Sequence, residues 1–288
     1  MLFRSLATGS NPIVLPVPGK GLPGVVTFRD LQDVNAMLIA ARTHSKAVVI
    51  GGGLLGLEAA HALLKQGMKV TVVHLLETLM ERQLDPVAGQ LLKQSLERRG
   101  LQFHMPAKTT AIHGTDRVCA VELADGTIIE ADLVVMAAGI RPNIELAKAA
   151  GLRCDRGVLV NDTLQTFDPC VYAVGECVQH RNNTYGLVAP LYEQARVCAT
   201  HLAEHGVGQY RGSMLSTHLK VTGIDLFSAG DFLGGPGSEA LVMRDAKRGI
   251  YKRIVIENNK LRGAVLYGDT RDAGSRSEER RVGKECRS

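Results

Sequence analysis

Lys46-Ala-Val-Val-Ile50 runs straight into Gly51-Gly-Gly53-Leu-Leu-Gly56-Leu-Glu58. A β-forming run that ends on Gly51-x-Gly53-x-x-Gly56, followed by an amphipathic helix pattern through Leu64, is the context in which such glycines bind a dinucleotide. Gly51 makes the tight turn, Gly53 lets the backbone approach a pyrophosphate, and Gly56 lets helix and strand pack closely. The helix N-terminus offers free N–H groups and a partial positive charge to the anion. Glu58 stands on the first turn of that helix, where any carboxylate is favoured by the helix dipole. His74 ends the second strand, 23 positions after Gly51, where an acid would hold the adenosine 2′-hydroxyl. A neutral imidazole can bond that hydroxyl and an imidazolium can attract a 2′-phosphate. Glu77 lies close enough to substitute, so the choice between NADH and NADPH stays open.

Two weaker motifs flank the glycine loop: Ala7-Thr8-Gly9 before it and Tyr172-Ala173-Val174-Gly175-Glu176-Cys177 after it. The six cysteines, at 119, 154, 170, 177, 198 and 286, include no C-x-x-C pair. That spacing removes a vicinal redox dithiol and gives no support for a zinc or iron–sulfur site, so no metal ligands are assigned. Scattered thiols in a chain of this length fit a reducing cytoplasm. No acid–base or nucleophilic triad stands out, and no catalytic side chain is assigned.

The elements that must position these residues follow the same logic. Leu6–Ser10 reads as a buried strand end turning at Gly9, and the Pro- and Gly-rich stretch to Gly24 as an irregular crossover. Asp30 is expected to cap a helix over 31–43, with Asp33 filling a capping-box slot imperfectly. Strands over 47–50, 69–74 and 102–104 alternate with helices over 54–66 and 85–99, the second with Pro86 in its first turn. A hairpin turns at Asp125-Gly126, and the apolar strand 133–136 closes the unit at Gly139. This βαβαβ order, then a meander and a closing strand, matches a complete small dinucleotide-binding domain. Strands over 158–160 and 171–173 and a helix over 191–204 come next. Beyond residue 206 the texture changes to short strands, 219–222, 225–229, 239–244, 249–257 and 260–267, separated by Gly and Asn turns.

The chain has 288 residues, 45% hydrophobic and 22% charged, with a net charge of +5. That describes a globular protein of about two domains. No apolar stretch approaches the ~20 residues of a membrane span, and no signal peptide is visible. Arg271, Arg276, Arg280, Arg281, Lys284 and Arg287 concentrate basic charge at the end, so no basic groove for nucleic acid is indicated. Residues 1–5 and the tail from 273 resemble translated sequencing-adapter DNA and are read as artefact; the natural alternative for the tail is a basic interaction arm. Between them the expected domains are an N-terminal part over 6–44, a dinucleotide-binding domain over 45–150, a segment over 151–205 and an antiparallel C-terminal domain over 206–272. Resemblance to flavin- and pyridine-nucleotide-dependent disulfide reductases, carried by the motifs above, implies that 6–44 is a partial FAD-binding part, that 45–150 binds NAD(P), that 151–205 returns to the FAD part and that 206–272 is an interface domain.

The order of the three motifs resembles the flavin- and pyridine-nucleotide-dependent disulfide reductase superfamily. Its α/β fold inserts a Rossmann-like NAD domain into an FAD domain and appends a small antiparallel α+β domain. Phe28-Arg29-Asp30-Leu31, Val70-Thr-Val-Val-His74, Leu79-Met-Glu-Arg-Gln-Leu-Asp-Pro86, Gly139-Ile-Arg-Pro-Asn143, the run Tyr185–Gln194 and the run Gly223–Asp231 are similar to the large subunits of assimilatory NAD(P)H-dependent nitrite reductases. The resemblance implies that Gly51, Gly53 and Gly56 hold NAD(P)H, with Glu58 toward the nicotinamide and Gly139 beside its ribose. It implies FAD contacts at Thr8, Gly9 and Arg29, with Arg29 on the phosphates. It implies further FAD contacts at Gly175 and Glu176 along the ribityl chain, and at Val188, Ala189 and Pro190 as a loop beneath the isoalloxazine. Glu176 departs from the usual Asp by one methylene.

The resemblance favours NADH. It implies passage of electrons to an iron–sulfur cluster and a sirohaem, whose modules would lie past Gly274, or to a small subunit of nitrite reductase, with nitrite reduced to ammonium. A homo-oligomer is compatible with it. The superfamily's first glycine loop, for the ADP end of FAD, would precede Leu6, so weak FAD retention is expected of this chain. The alternatives are an NADH:rubredoxin or ferredoxin reductase, and an NAD(P)-binding redox sensor without turnover.

Overall fold

The computed structural model describes residues 3–206, 208–213, 216–221 and 223–273; Met1, Leu2 and the basic tail from Arg276, with Cys286, lie outside them. Contacts divide the chain into two units, Met1–Ile13 with Ile140–Leu215, and Val14–Gly139 with Ser216–Ser288. The second unit therefore interrupts the chain of the first, the nesting that the order of the motifs implies.

In the larger unit a five-stranded parallel sheet runs in the order Val25–Thr27, Leu133–Met136, Lys46–Ile50, Lys69–Val73, Gln102–His104. Its central strands are continuous apolar runs because both faces are covered: Val48, Val49, Val72, Val134 and Val135 are all fully buried. The helices Leu31–Thr43, Leu54–Lys65 and Pro86–Glu97 cover the face that carries Val49, Val72 and Val135, and Ile112, Val118, Val121 and Leu123 of an antiparallel sheet cover the face that carries Val48 and Val134. Asp30 and Asp33 make a complete capping box, stronger than the sequence suggests. Asp33 also accepts from Thr27 Oγ1 at 2.8 Å, which ties the helix start to the edge strand.

That edge strand, Val25–Thr27, begins directly after the stretch read as irregular crossover, in residues for which the sequence predicts no element. Residues 14–44 thus fall with the nucleotide-binding sheet by contact, not with the flavin part. The cause is the parallel pairing of Val25–Thr27 with Val134–Met136 and the burial of Met37 and Ala40 in the sheet's own core. A further strand, Thr109–Gly114, joins the expected hairpin to make a three-stranded antiparallel sheet.

The C-terminal sheet of the same unit is antiparallel throughout, in the order Ser216–Val221, Ile224–Gly230, Lys260–Tyr267, Ile250–Glu257, Glu239–Asp245. Asn258 and Asn259 both take positive φ, 51° and 56°, the geometry a two-residue hairpin requires. Two tyrosines fasten this sheet to the helix Pro86–Glu97. Tyr251 donates to Asp85 Oδ2 at 2.8 Å, and Tyr267 donates to the Leu91 carbonyl at 3.2 Å. Burial, and then the bond to Asp85, push the Tyr251 phenol up to about 12.

In the smaller unit Arg4–Leu6 pairs in parallel with Val171–Ala173, so Arg4 and Ser5, assigned to the artefact end, occupy a strand. Backbone hydrogen bonding accepts nearly any side chain at such a position. Ser10–Pro12 pairs antiparallel with Ile140–Pro142, and Val158–Val160 pairs in parallel with Val178–His180. Val158, Tyr172, Ala173, Cys177 and Val178 form the centre of its core. The helix Val188–Leu202 completes it.

Candidate functional site

The glycine loop lies between the strand Lys46–Ile50 and the helix Leu54–Lys65, and each glycine is required for a different reason. Gly51 has φ of +128°, and a Cβ there would lie 2.2 Å from the Ala137 carbonyl oxygen. A Cβ on Gly56 would lie 2.0 Å from the Gly51 carbonyl oxygen. Both are forced by close approach of backbone to backbone. Gly53 differs: it is the helix N-cap, without a side-chain cap, and its missing Cβ faces space with nothing within 4 Å. The first-turn N–H groups that follow it lack intrahelical partners by construction. Two packed glycines that set the turn, and one that opens onto free space at a helix N-terminus, fit a dinucleotide pyrophosphate.

Gly52 was not singled out by the motif, yet it is equally constrained. A Cβ there would come within 2.7 Å of His74 Cγ and of Leu79 Cδ2. The reason is His74, whose ring is buried and turned inward. Its Nδ1 lies 3.0 Å from the Gly52 nitrogen and its Nε2 lies 3.1 Å from the Thr78 carbonyl oxygen. Both ring nitrogens are thus engaged within the chain, which differs from the expected contact of His74 with the adenosine ribose. Leu75, Leu76 and Glu77 are the exposed residues that follow it.

Glu58 lies on the same helix but past its first turn, which carries no acid, and is exposed to solvent; desolvation by the surrounding protein raises its carboxyl above the ordinary value. Gly139, at the end of the closing strand, has φ of +110°. Arg29 precedes the cap of the helix Leu31–Thr43 and belongs to this larger unit, whereas Thr8, Gly9, Gly175, Glu176 and Val188–Pro190 belong to the smaller one.

Within the smaller unit the two flanking motifs meet. Val174 donates its N–H to the Leu6 carbonyl at 2.9 Å, and Ser10 Oγ donates to Glu176 Oε2 at 2.7 Å. Thr8 Oγ1 donates to the Asn143 carbonyl at 2.6 Å, and Asn143 returns its N–H to the Gly9 carbonyl at 2.9 Å. Gly9 at φ +66° and Gly175 at φ +94° each have open space where a Cβ would stand. Two left-handed glycine turns side by side, open to a ligand and flanked by a carboxylate, fit a hydroxylated, phosphorylated cofactor such as the flavin dinucleotide.

Val188, Ala189 and Pro190 are the first turn of the helix Val188–Leu202 and not a loop. Pro190 hides the helix start in the sequence, but the first-turn N–H groups are unpaired anyway, so a proline there costs no hydrogen bond. That helix contributes Gln194, fully buried, whose Oε1 accepts from the Gly175 N–H at 2.9 Å. Gln194 and Ser10 are the positioning residues the motifs did not reveal. All five cysteines among the described residues are free thiols, and no His, Cys, Asp or Glu cluster among those residues could hold a metal. No helix among them is long and apolar enough to cross a membrane.

Residues 6–201 match the family model described as pyridine nucleotide-disulphide oxidoreductase, and residues 216–277 match the rubredoxin NAD+ reductase C-terminal domain. The chain is 54% identical over 92% of its length to a nitrite reductase [NAD(P)H] of Bacillus subtilis, covering 33% of that protein. It is 45% identical over 93% of its length to an assimilatory nitrate reductase electron transfer subunit of the same organism, covering 35% of it. The chain therefore spans about a third of the length of these relatives. Among solved structures, a ferredoxin reductase of Rhodopseudomonas palustris superposes over 98% of this chain and 71% of its own with a TM-score of 0.86 at 27% identity.

Proposed function

Because the chain belongs to the pyridine nucleotide-disulphide oxidoreductase family, we propose that it is the electron-input module of an assimilatory nitrite reductase, taking hydride from NAD(P)H onto FAD and sending electrons onward for reduction of nitrite to ammonium. The observation that carries this reading is the glycine loop, with Gly53 open at a helix N-terminus, in a chain so similar to a nitrite reductase over 92% of its length.

The chain's own residues bind and orient. Gly51, Gly53 and Gly56 cradle the dinucleotide pyrophosphate, and Gly139 leaves room at the end of the closing strand. Thr8, Gly9, Gly175 and Glu176 hold the flavin side, fixed by Ser10 and Gln194. The bound flavin supplies the two-electron to one-electron conversion. The acceptor is a further domain or subunit carrying an iron–sulfur cluster and sirohaem.

The test is direct. The purified chain, supplied with FAD and kept anaerobic, is mixed with NADH, and oxidised-flavin absorbance is followed. Loss of that absorbance supports the reading. Calorimetry showing no pyridine nucleotide binding contradicts it. The match of residues 216–277 to the rubredoxin reductase C-terminal domain favours a second reading, an NADH:rubredoxin or ferredoxin reductase. Reduction of rubredoxin by the chain with NADH and FAD, without any gain in nitrite reduction when the nitrite-reducing partner is added, selects it.

A further inference from the structure

His74 sits where the second strand of a dinucleotide-binding sheet presents its ribose-reading residue, yet every polar atom of its ring faces protein. A backbone N–H can only donate, so the Gly52 amide at 3.0 Å requires an unprotonated Nδ1. The Thr78 carbonyl at 3.1 Å and Glu81 Oε2 at 3.4 Å can only accept, so Nε2 carries the proton. The neighbours thus select one neutral tautomer.

The far side of the same peptide is held as well. The Gly52 carbonyl accepts from the Met80 N–H at 3.0 Å, and Met80 is itself in the left-handed region, φ 52°. The segment from His74 to Glu81 therefore grips Gly52 by its donor and its acceptor. Gly52 lacks a side chain because the imidazole occupies the space.

We propose that His74 is a positioning residue for the dinucleotide loop and not a reader of the ribose. By accepting from Gly52 it orients the peptides of Gly53 and Leu54, whose N–H groups meet the pyrophosphate. This rests on Gly51–Gly56 being the pyridine nucleotide site. A residue that acts on the pyrophosphate loop serves NADH and NADPH alike, because the two differ only at the 2′ position. A ribose reader serves them unequally.

The test uses the full chain with His74→Ala, His74→Asn and His74→Gln, titrated calorimetrically with NADH and with NADPH, alongside thermal melts. Removing the partner of a buried N–H should weaken His74→Ala binding by about tenfold, by the same factor for both nucleotides. Asn places Oδ1 where Nδ1 stood and should restore most of the affinity; Gln places its amide nearer Thr78 and should not. Nitrogen NMR of the wild-type imidazole should show Nε2 protonated and Nδ1 bare. The proposal is overturned if His74→Ala binds both nucleotides as the wild type does, if the two affinities fall by different factors, or if Nδ1 carries the proton. Should the alanine variant fail to fold, the Asn–Gln contrast and the NMR signature decide. If the wild-type chain binds neither nucleotide, the site reading falls and the proposal with it; if it binds and the substitutions change nothing, the proposal falls alone.

Discussion

Gly56 stands so close to Gly51 that a methyl carbon added to it would lie 2.0 Å from the Gly51 carbonyl oxygen. Gly53, midway between them in the loop, would meet nothing within 4 Å. The two positions therefore separate folding from binding. Gly56→Ala should destabilise the larger unit by about 3 kcal/mol, since a backbone oxygen cannot move aside cheaply. Gly53→Ala keeps an ordinary φ of −80° and should cost less than about 1 kcal/mol, the scale of a poorer N-cap residue. Its methyl group enters the space read as pyrophosphate site, so NADH affinity should fall by about tenfold or more, roughly the cost of one lost hydrogen bond to a charged group. Thermal melts and calorimetry on both variants check this.

Tyr251→Phe should expose the weight of the tyrosine that ties the C-terminal sheet to the helix Pro86–Glu97. Asp85 is 3% exposed and accepts from Tyr251 at 2.8 Å. Removing the donor leaves a buried carboxylate oxygen unmatched, a loss of about 1–3 kcal/mol. Urea unfolding of the variant should show a lower midpoint at unchanged slope. An unchanged midpoint would mean the bond contributes nothing net.

Asp162 gives a pH signature. Arg181, and then His180 through Nε2 at 2.8 Å, bond its carboxyl and hold it at about 2, down from 3.8. A carboxyl depressed in the folded state contributes stability above its unfolded value and loses it as pH falls through the folded one. Asp162→Asn should melt earlier than the wild type at pH 7, and the gap should close between about pH 4 and pH 2. A gap independent of pH would contradict the linkage.

Glu58 works in the opposite sense. Desolvation by the surrounding protein raises its carboxyl from 4.5, so the folded chain resists ionising it, and stability declines as pH rises from 4.5 through the raised value. Glu58→Gln removes that penalty. Its melting temperature should match the wild type near pH 4 and exceed it at pH 7. A variant less stable than the wild type at pH 7 would show that the ionised carboxylate makes a favourable contact.

The parts of this site that could be read from the sequence are those whose cause is local. Gly51, Gly53 and Gly56 stand within one turn, and the parallel strands around them are apolar runs bounded by glycines, so pattern alone places them. Gly52 was not legible because its constraint comes from His74, 22 positions away. Ser10 and Glu176 are separated by 166 positions, and only the fold brings them to 2.7 Å. The strand Thr109–Gly114 carries Thr109, Thr110 and His113, too polar to announce itself. Val25–Thr27 is three residues long, with Pro23 and Gly24 directly before it. Pro190 disguised the start of its helix, since proline reads as a break although the first turn tolerates it.

The central claim is that a pyridine dinucleotide lies with its pyrophosphate against the amides that follow Gly53. A crystal structure of the chain soaked with NADH measures this most directly. The account predicts phosphate oxygens within hydrogen-bond distance of the Gly53 and Leu54 N–H groups, with the Gly52 amide still bound to His74. Dinucleotide seated elsewhere, with the 51–56 loop unchanged and empty, would contradict it.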